Sequence, residues 1–169
     1  MEPVGRVVVG IDGSEASLDA LCWALKYASL SSAQVMAVIS WQYPNQYGVE
    51  CYGEQPDWRQ ITSDILHAAV AEVASRLGDL PPVEQLVRQG HPAEVLLEAA
   101  DGADLLVVGS HGHGGFVGML MGSVSKHVTA HACCPVVVVP PTSRNAGNSG
   151  HRKSRQNSLG KDRRADARS

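Results

Sequence analysis

Six glycines crowd the stretch GSHGHGGFVGMLMGSVS, residues 109–125: Gly109, Gly112, Gly114, Gly115, Gly118 and Gly122. Glycine loses more chain entropy on ordering than any other residue, so this density calls for a backbone reason. One reason is positive φ in tight turns. Another is close approach of main-chain N–H groups to a ligand. N–H groups that converge beside a helix N-terminus make an anion site, because orphan amides and the helix dipole both favour negative charge. A helical pattern opens at Ser123, and the hydroxyls of Ser123 and Ser125 can add hydrogen bonds. His111 and His113 lie in the same loop, available as donors to a phosphate or turned to solvent. A second segment, Gly10-Ile11-Asp12-Gly13-Ser14, sets a carboxylate in a turn.

Two common phosphate loops do not fit. A Walker A loop ends in Gly-Lys-Ser/Thr, and no such triplet follows here. A dinucleotide fingerprint starting at Gly112 needs a glycine at position 117, which is Val117, and it belongs after a first strand rather than a fourth.

Strand and helix patterns alternate along the elements that must position these residues. Residues 4–11 form a β-branched run. Ser14 is placed to cap a helix over 15–30 that gathers Leu18, Leu21, Cys22, Leu25 and Ala28 on one face. A strand over 34–41 is followed by a Tyr-, Pro- and Gly-containing loop over 42–57, long enough to suggest a lid or partner surface. The next helix, 58–77, offers Ile61, Ile65, Ala69 and Val73 at i+4 steps and ends at Gly78 and Pro81-Pro82. A strand over 83–88 turns at Gly90. Pro92 introduces a helix over 93–101 that buries Leu96, Leu97 and Ala100. Strand 104–108, helix 123–132 and strand 135–139 complete the series. Short apolar strands separated by helices imply an α/β fold with a five-stranded parallel sheet covered on both faces. Ligands of such sheets sit at the C-terminal strand ends, so the Asp12 turn and the glycine loop should share one rim.

Charge divides the chain. Residues 1–140 hold six Lys or Arg against fifteen Asp or Glu, a net of −9, whereas 141–169 carry eight against two, a net of +6. The expected organisation is one domain over 1–142 and a basic tail over 143–169. The tail's Ser, Arg, Gly, Asn and Lys content cannot bury enough apolar surface to order it. It has no interleaved aromatics for base stacking, which favours a solubilising extension over nucleic-acid binding. No apolar run reaches the roughly 18 residues that span a membrane. The N-terminus shows no basic region leading into an apolar stretch, so a cytoplasmic protein is expected.

The spacing Gly109, two residues, Gly112, nine residues, then Gly122-Ser123 resembles the ATP-binding pattern of the universal stress protein family. Val8-Val9-Gly10-Ile11-Asp12-Gly13-Ser14 is similar to that family's first strand and turn. Gly90-His91-Pro92-Ala93 and the ending Cys133, Pro135 to Val139 follow its layout. The resemblance spans about residues 4–140. It implies a single Rossmann-like, adenine nucleotide alpha hydrolase-like domain and a homodimer. It also implies an ATP-binding stress-response regulator, a nucleotide-dependent switch with slow or no hydrolysis. Carried over, Gly112, Gly114 and Gly115 would face the phosphates, with Gly109 and His113 in the same loop. Gly122, Ser123 and Val124, with Ser125 beside them, would hold phosphate and ribose. Asp12, with Gly10 and Ile11, would contact the nucleoside or a Mg ion, and the backbone near Ser40 would read the adenine edge. Some members carry two such domains in tandem; one is seen here, and the basic tail has no counterpart in the pattern. The strand at Val136–Val139 offers an edge through which two copies could pair. A protein partner is expected but not named by any motif.

Other chemistries leave weaker traces. His127 and His131 have metal-ligand spacing at i, i+4, but no glutamate base or third ligand accompanies them, which favours surface histidines. Hydrolysis needs a positioned base and a charge stabiliser over the γ-phosphate, and no arginine lies in the loop. A nucleotide-transforming enzyme, by ATP hydrolysis or adenylyl transfer, is therefore the second reading. A thiol-based redox protein using Cys133-Cys134 is the third. Cys22 reads as a packed small hydrophobe, and adjacent cysteines rarely form an unstrained disulfide.

Overall fold

Valine dominates the strands, and its branched side chain suits a sheet buried on both faces. The computed structural model describes residues 5–43, 56–78, 81–112 and 121–142. The elements run β1 (Arg6–Gly10), α1 (Glu15–Ser31), β2 (Gln34–Trp41), α2 (Trp58–Leu77), β3 (Val83–Gln89), α3 (Pro92–Ala99), β4 (Leu105–Gly109), α4 (Ser123–His131) and β5 (Val136–Val139). All strand pairs are parallel, in the order β3-β2-β1-β4-β5. The central strand β1 registers Gly10 against Val38 of β2 and Val9 against Val107 of β4. The α/β class and all nine elements match the sequence reading, with bounds shifted by one or two residues. Strand β1 is shorter than 4–11, and α3 starts at Pro92 and ends before Asp101.

Two apolar layers flank the sheet. On one side α1 and α2 pack Leu21, Leu25, Leu66 and Val73 against Val7, Val9, Val35 and Val107. On the other, α3 and α4 pack Val95, Leu96 and Val128 against Val8, Val38, Leu106 and Val108. The small residues Ala16, Ser17, Ala20, Ala24 and Ala28 let α1 lie close to the sheet, while Leu18 and Cys22 are only half-buried. The expected face of α2 needs correction. Its buried residues are Thr62, Leu66, Ala69 and Val73, and Ile61 and Ile65 stand 43% and 39% exposed. Steps of four overshoot a helical turn by about 40°, so a strict i+4 series winds off the face, whereas alternating steps of four and three hold it.

Residues 44–55, most of the loop expected to form a lid or partner surface, lie outside the described residues, as do Cys51 and the tail over 143–169. Among the described residues no helix is long and apolar enough to cross a membrane. After β5 the chain turns back to α1, where the Thr142 N–H donates to Asp19 Oδ2 at 2.7 Å.

A candidate nucleotide site at the strand switch

The sheet order reverses between β1, which continues to β2 on one side, and β4, which lies on the other. A crevice is expected outside the C-terminal strand ends at such a point. A cleft of about 380 Å³ occupies it, on the α3–α4 side of the sheet.

Its first wall is the β1–α1 turn. Gly10, Ile11 and Asp12 line the cleft. A side chain at position 10 would press on Leu96 Cδ1 at 3.0 Å, so glycine keeps this space open. Asp12 Oδ1 accepts from the Ser14 N–H at 2.9 Å and from Ser14 Oγ at 2.5 Å. Gly13 takes a φ of 82°, which an L side chain rarely adopts. Ser14 caps α1 as the sequence suggests, its Oγ accepting from the Ser17 N–H at 3.2 Å.

The opposite wall is the start of α4. Gly109, Gly112, Gly122, Ser123, Val124 and Ser125 line it. The Gly122 N–H donates to Ser110 O at 2.7 Å, which draws the helix start onto the end of β4. The first helical bond is Lys126 N–H to Gly122 O, at 3.0 Å. The amides of Ser123, Val124 and Ser125 precede it, so the helix supplies them no acceptor. Gly122 has no side chain to cap them.

The loop glycines serve different ends. None of Gly109, Gly112 and Gly122 has positive φ, so the turn explanation fails at these positions. A Cβ on Gly109 would strike the Ala16 carbonyl carbon and oxygen at 2.8 Å, so this glycine lets β4 and α1 approach. One on Gly112 would run into Asp12 Oδ2. On Gly122 the nearest atom among the described residues would be Ser110 O at 3.5 Å, an ordinary contact. Ser125 is also corrected in part. Its hydroxyl is 5% exposed with its residue and donates to Gly109 O at 2.6 Å, so that proton joins α4 to β4 rather than reaching a ligand.

Ser40, at the end of β2, completes the expected set within the described residues. All ten described members line one cleft; His113, Gly114 and Gly115 lie outside the described residues. The sequence reading missed the apolar wall of Val38, Val95, Leu96 and Val108. Its one trace is Gly10, the residue that breaks a run of valines where a neighbour needs room. His111 also lines the cleft, with Nδ1 2.9 Å from Ser110 Oγ.

Matches to known proteins show the family and the fold. Residues 3–140 match the universal stress protein family. The chain belongs to that family. A universal stress protein of Mycolicibacterium smegmatis is 39% identical over 138 residues, which cover 80% of this chain and 45% of the relative. The chain thus spans a little under half the length of the curated relatives it matches. A universal stress protein crystallised with cAMP is 30% identical, with a TM-score of 0.60 over 82% of this chain and 98% of that one. The Archaeoglobus fulgidus universal stress protein in complex with dAMP is 24% identical, with a TM-score of 0.58 over 82% and 99%, and shares the fold. The Rossmann-like single domain expected from the sequence is therefore shown.

The rival features lie elsewhere. His127 and His131 stack with ring centroids 4.3 Å apart on the exposed face of α4, and the His131 Nδ1–H donates to His127 O at 2.8 Å. No group of three or more metal-ligating side chains occurs among the described residues. Cys133 and Cys134 precede β5, at the end of the sheet away from the cleft. Burial pushes the Cys134 thiol up from its ordinary value, and Cys133 beside it pushes the same way. A raised thiol is a poor thiolate donor, which weighs against redox use of this residue.

Proposed function

We propose that this universal stress protein domain binds ATP with Mg²⁺ in the rim cleft and acts as a stress-response switch rather than a fast enzyme. The observation that carries the reading is the uncapped start of α4 facing the Asp12 turn across an apolar-walled cleft. The apolar wall suits a base, and the amides of Ser123, Val124 and Ser125 suit a phosphate. Asp12 is a hard oxygen donor of the kind Mg²⁺ takes alongside substrate phosphates. Ser40 stands where its backbone can read the edge of adenine. The relative crystallised with cAMP supports an adenine nucleotide here. His113, Gly114 and Gly115 are proposed to complete the phosphate loop.

Nucleotide would order the glycine loop and change what the domain presents to a partner, including a second copy. Strand β5 is a sheet edge with half-buried valines, a surface suited to twofold pairing. We place the domain in the cytoplasm on the same reading.

Calorimetric titration with ATP and Mg²⁺, of protein freed of co-purified nucleotide, tests the site. Saturable binding that Gly122→Ala weakens is expected. Absence of binding by the wild type overturns the reading. Limited proteolysis and sizing with and without ATP test the switch, which fails if neither changes.

A further inference from the structure

The first turn of α4 serves the cleft, but the rest of the helix carries a pair of side chains that the nucleotide reading leaves unused. His127 and His131 are both exposed, one helical turn apart, and neither is among the described residues that line the cleft. Their rings stack with centroids 4.3 Å apart and planes 21° from parallel. His131 Nδ1 lies 2.8 Å from His127 O, and a carbonyl only accepts, so Nδ1 carries the hydrogen. In the neutral ring the lone pair then sits on Nε2. A metal-ligating histidine is oriented in this way, with one ring N–H held by a backbone carbonyl and the other nitrogen left as the base. The ring spacing suits a single ion. Two tetrahedral Zn–N bonds of about 2.0–2.1 Å set their nitrogens roughly 3.4 Å apart, so the rings need to close by only about 1 Å. The place suits a cation too, since His131 stands in the last turn of the helix, where the dipole favours positive charge.

We propose that His127 and His131 chelate a divalent transition cation of the imidazole-preferring class, Ni²⁺, Cu²⁺ or Zn²⁺ rather than Mg²⁺. Among the described residues no group of three or more metal-ligating side chains occurs, so these residues build an open site and not a closed structural centre. The two imidazoles hold the ion, and water or an arriving group takes its other positions. Placing both ligands on one helix ties the metal to the fold. The pair is a chelate only while α4 is helical, so the ion binds the folded chain in preference to the unfolded one. The site is separate from the Mg²⁺ proposed beside Asp12, a hard cation that takes oxygen ligands. Neither proposal depends on the other.

The test is calorimetric titration of the full chain with Ni²⁺ in the absence of nucleotide, with thermal melts alongside. Ni²⁺ suits imidazole, whereas thiolates also draw Zn²⁺, so this probe keeps the cysteines out of the reading. Both side chains are exposed and alanine favours a helix, so His127→Ala, His131→Ala and the double variant keep the fold. Each single substitution is expected to weaken one Ni²⁺ site at least about tenfold, and the double variant to lose little more than either. Ni²⁺ should raise the melting temperature of the wild type and raise it less in all three variants. Losses that add, each substitution taking its own share, mean two independent imidazoles and overturn the chelate. Ni²⁺ binding that is absent from the wild type, or unchanged in every variant, overturns it as well. So does a wild-type melt that Ni²⁺ does not move.

Discussion

Of the helix N-termini that border the cleft, those of α1 and α4 are finished in opposite ways; the third, of α3, opens on Pro92, which has no amide N–H to cap. At α1, Asp12 holds Ser14, and Ser14 Oγ accepts from the Ser17 N–H, so a side chain of the protein caps the first turn. At α4 the cap position is Gly122, with no side chain to offer, and the first-turn residues Ser123, Val124 and Ser125 line the cleft. A side-chain cap is worth about 1 kcal/mol, and leaving it out is tolerable where water or a ligand supplies the acceptor. On the proposed reading the difference divides the tasks: α1 would fix one wall of the site, and α4 would hold the anion.

Glycines sharpen the contrast, and they carry the largest expected effect. Gly109 and Gly122 both belong to the motif, but only Gly109 is required by the fold. Gly109→Ala drives a methyl into the Ala16 backbone and should destabilise the domain by about 1–3 kcal/mol, read as a lower denaturant midpoint at unchanged slope. Gly122→Ala meets no described atom closer than 3.5 Å and should cost up to about 1 kcal/mol, the gap between Gly and Ala at an N-cap, less than Gly109→Ala. The same methyl narrows the gap between residues 110–112 and the α4 amides, so nucleotide affinity should fall about tenfold, close to 1.4 kcal/mol. Equal stability losses in the two variants would break the division of labour.

Ser14→Ala probes the self-capped end. It should cost about 1 kcal/mol of stability, the usual worth of an N-cap, and reduce nucleotide affinity less than Gly122→Ala does. A larger affinity loss from Ser14→Ala would mean that the Asp12 turn, not α4, holds the phosphate.

Much of this was legible in the sequence because it depends on local pattern. Period and turn residues placed the nine elements of the described residues, and the parallel sheet then brought residues 10–12, 109–112 and 122–125 to one rim without further information. What the pattern could not supply depends on neighbours distant in sequence. Gly109 and Gly122 look alike in the motif; only the approach of Ala16 separates them. Ser125 reads as a ligand donor until Gly109 O is found 2.6 Å away. Val38, Val95 and Val108 look like ordinary core residues and become a site wall only because Gly10 withholds a side chain beside them. On α2 the true face starts with Thr62, a residue whose polarity hid it; its hydroxyl donates to Trp58 O at 2.7 Å, which lets it be buried.

The same contrast extends to the two ends of the sheet, and there the effect is smallest. The rim exposes polar groups to a ligand, whereas at the foot Cys134 is turned against the α3–α4 core beside an exposed Cys133. Burial first, and then the charge of Cys133, raise the Cys134 thiol. A raised folded value means that the folded state holds this proton more tightly than the unfolded chain. The contribution is therefore fully present below the ordinary thiol value of 9.0 and is lost as pH climbs through the folded one. Denaturation midpoints of wild type and Cys134→Ala, compared from neutral to alkaline pH, should converge toward the mutant's as the thiol ionises. Mass spectrometry after brief alkylation near pH 8 should find Cys133 modified ahead of Cys134. The reverse order would make Cys134 the reactive thiol and give the foot of the sheet a chemistry of its own.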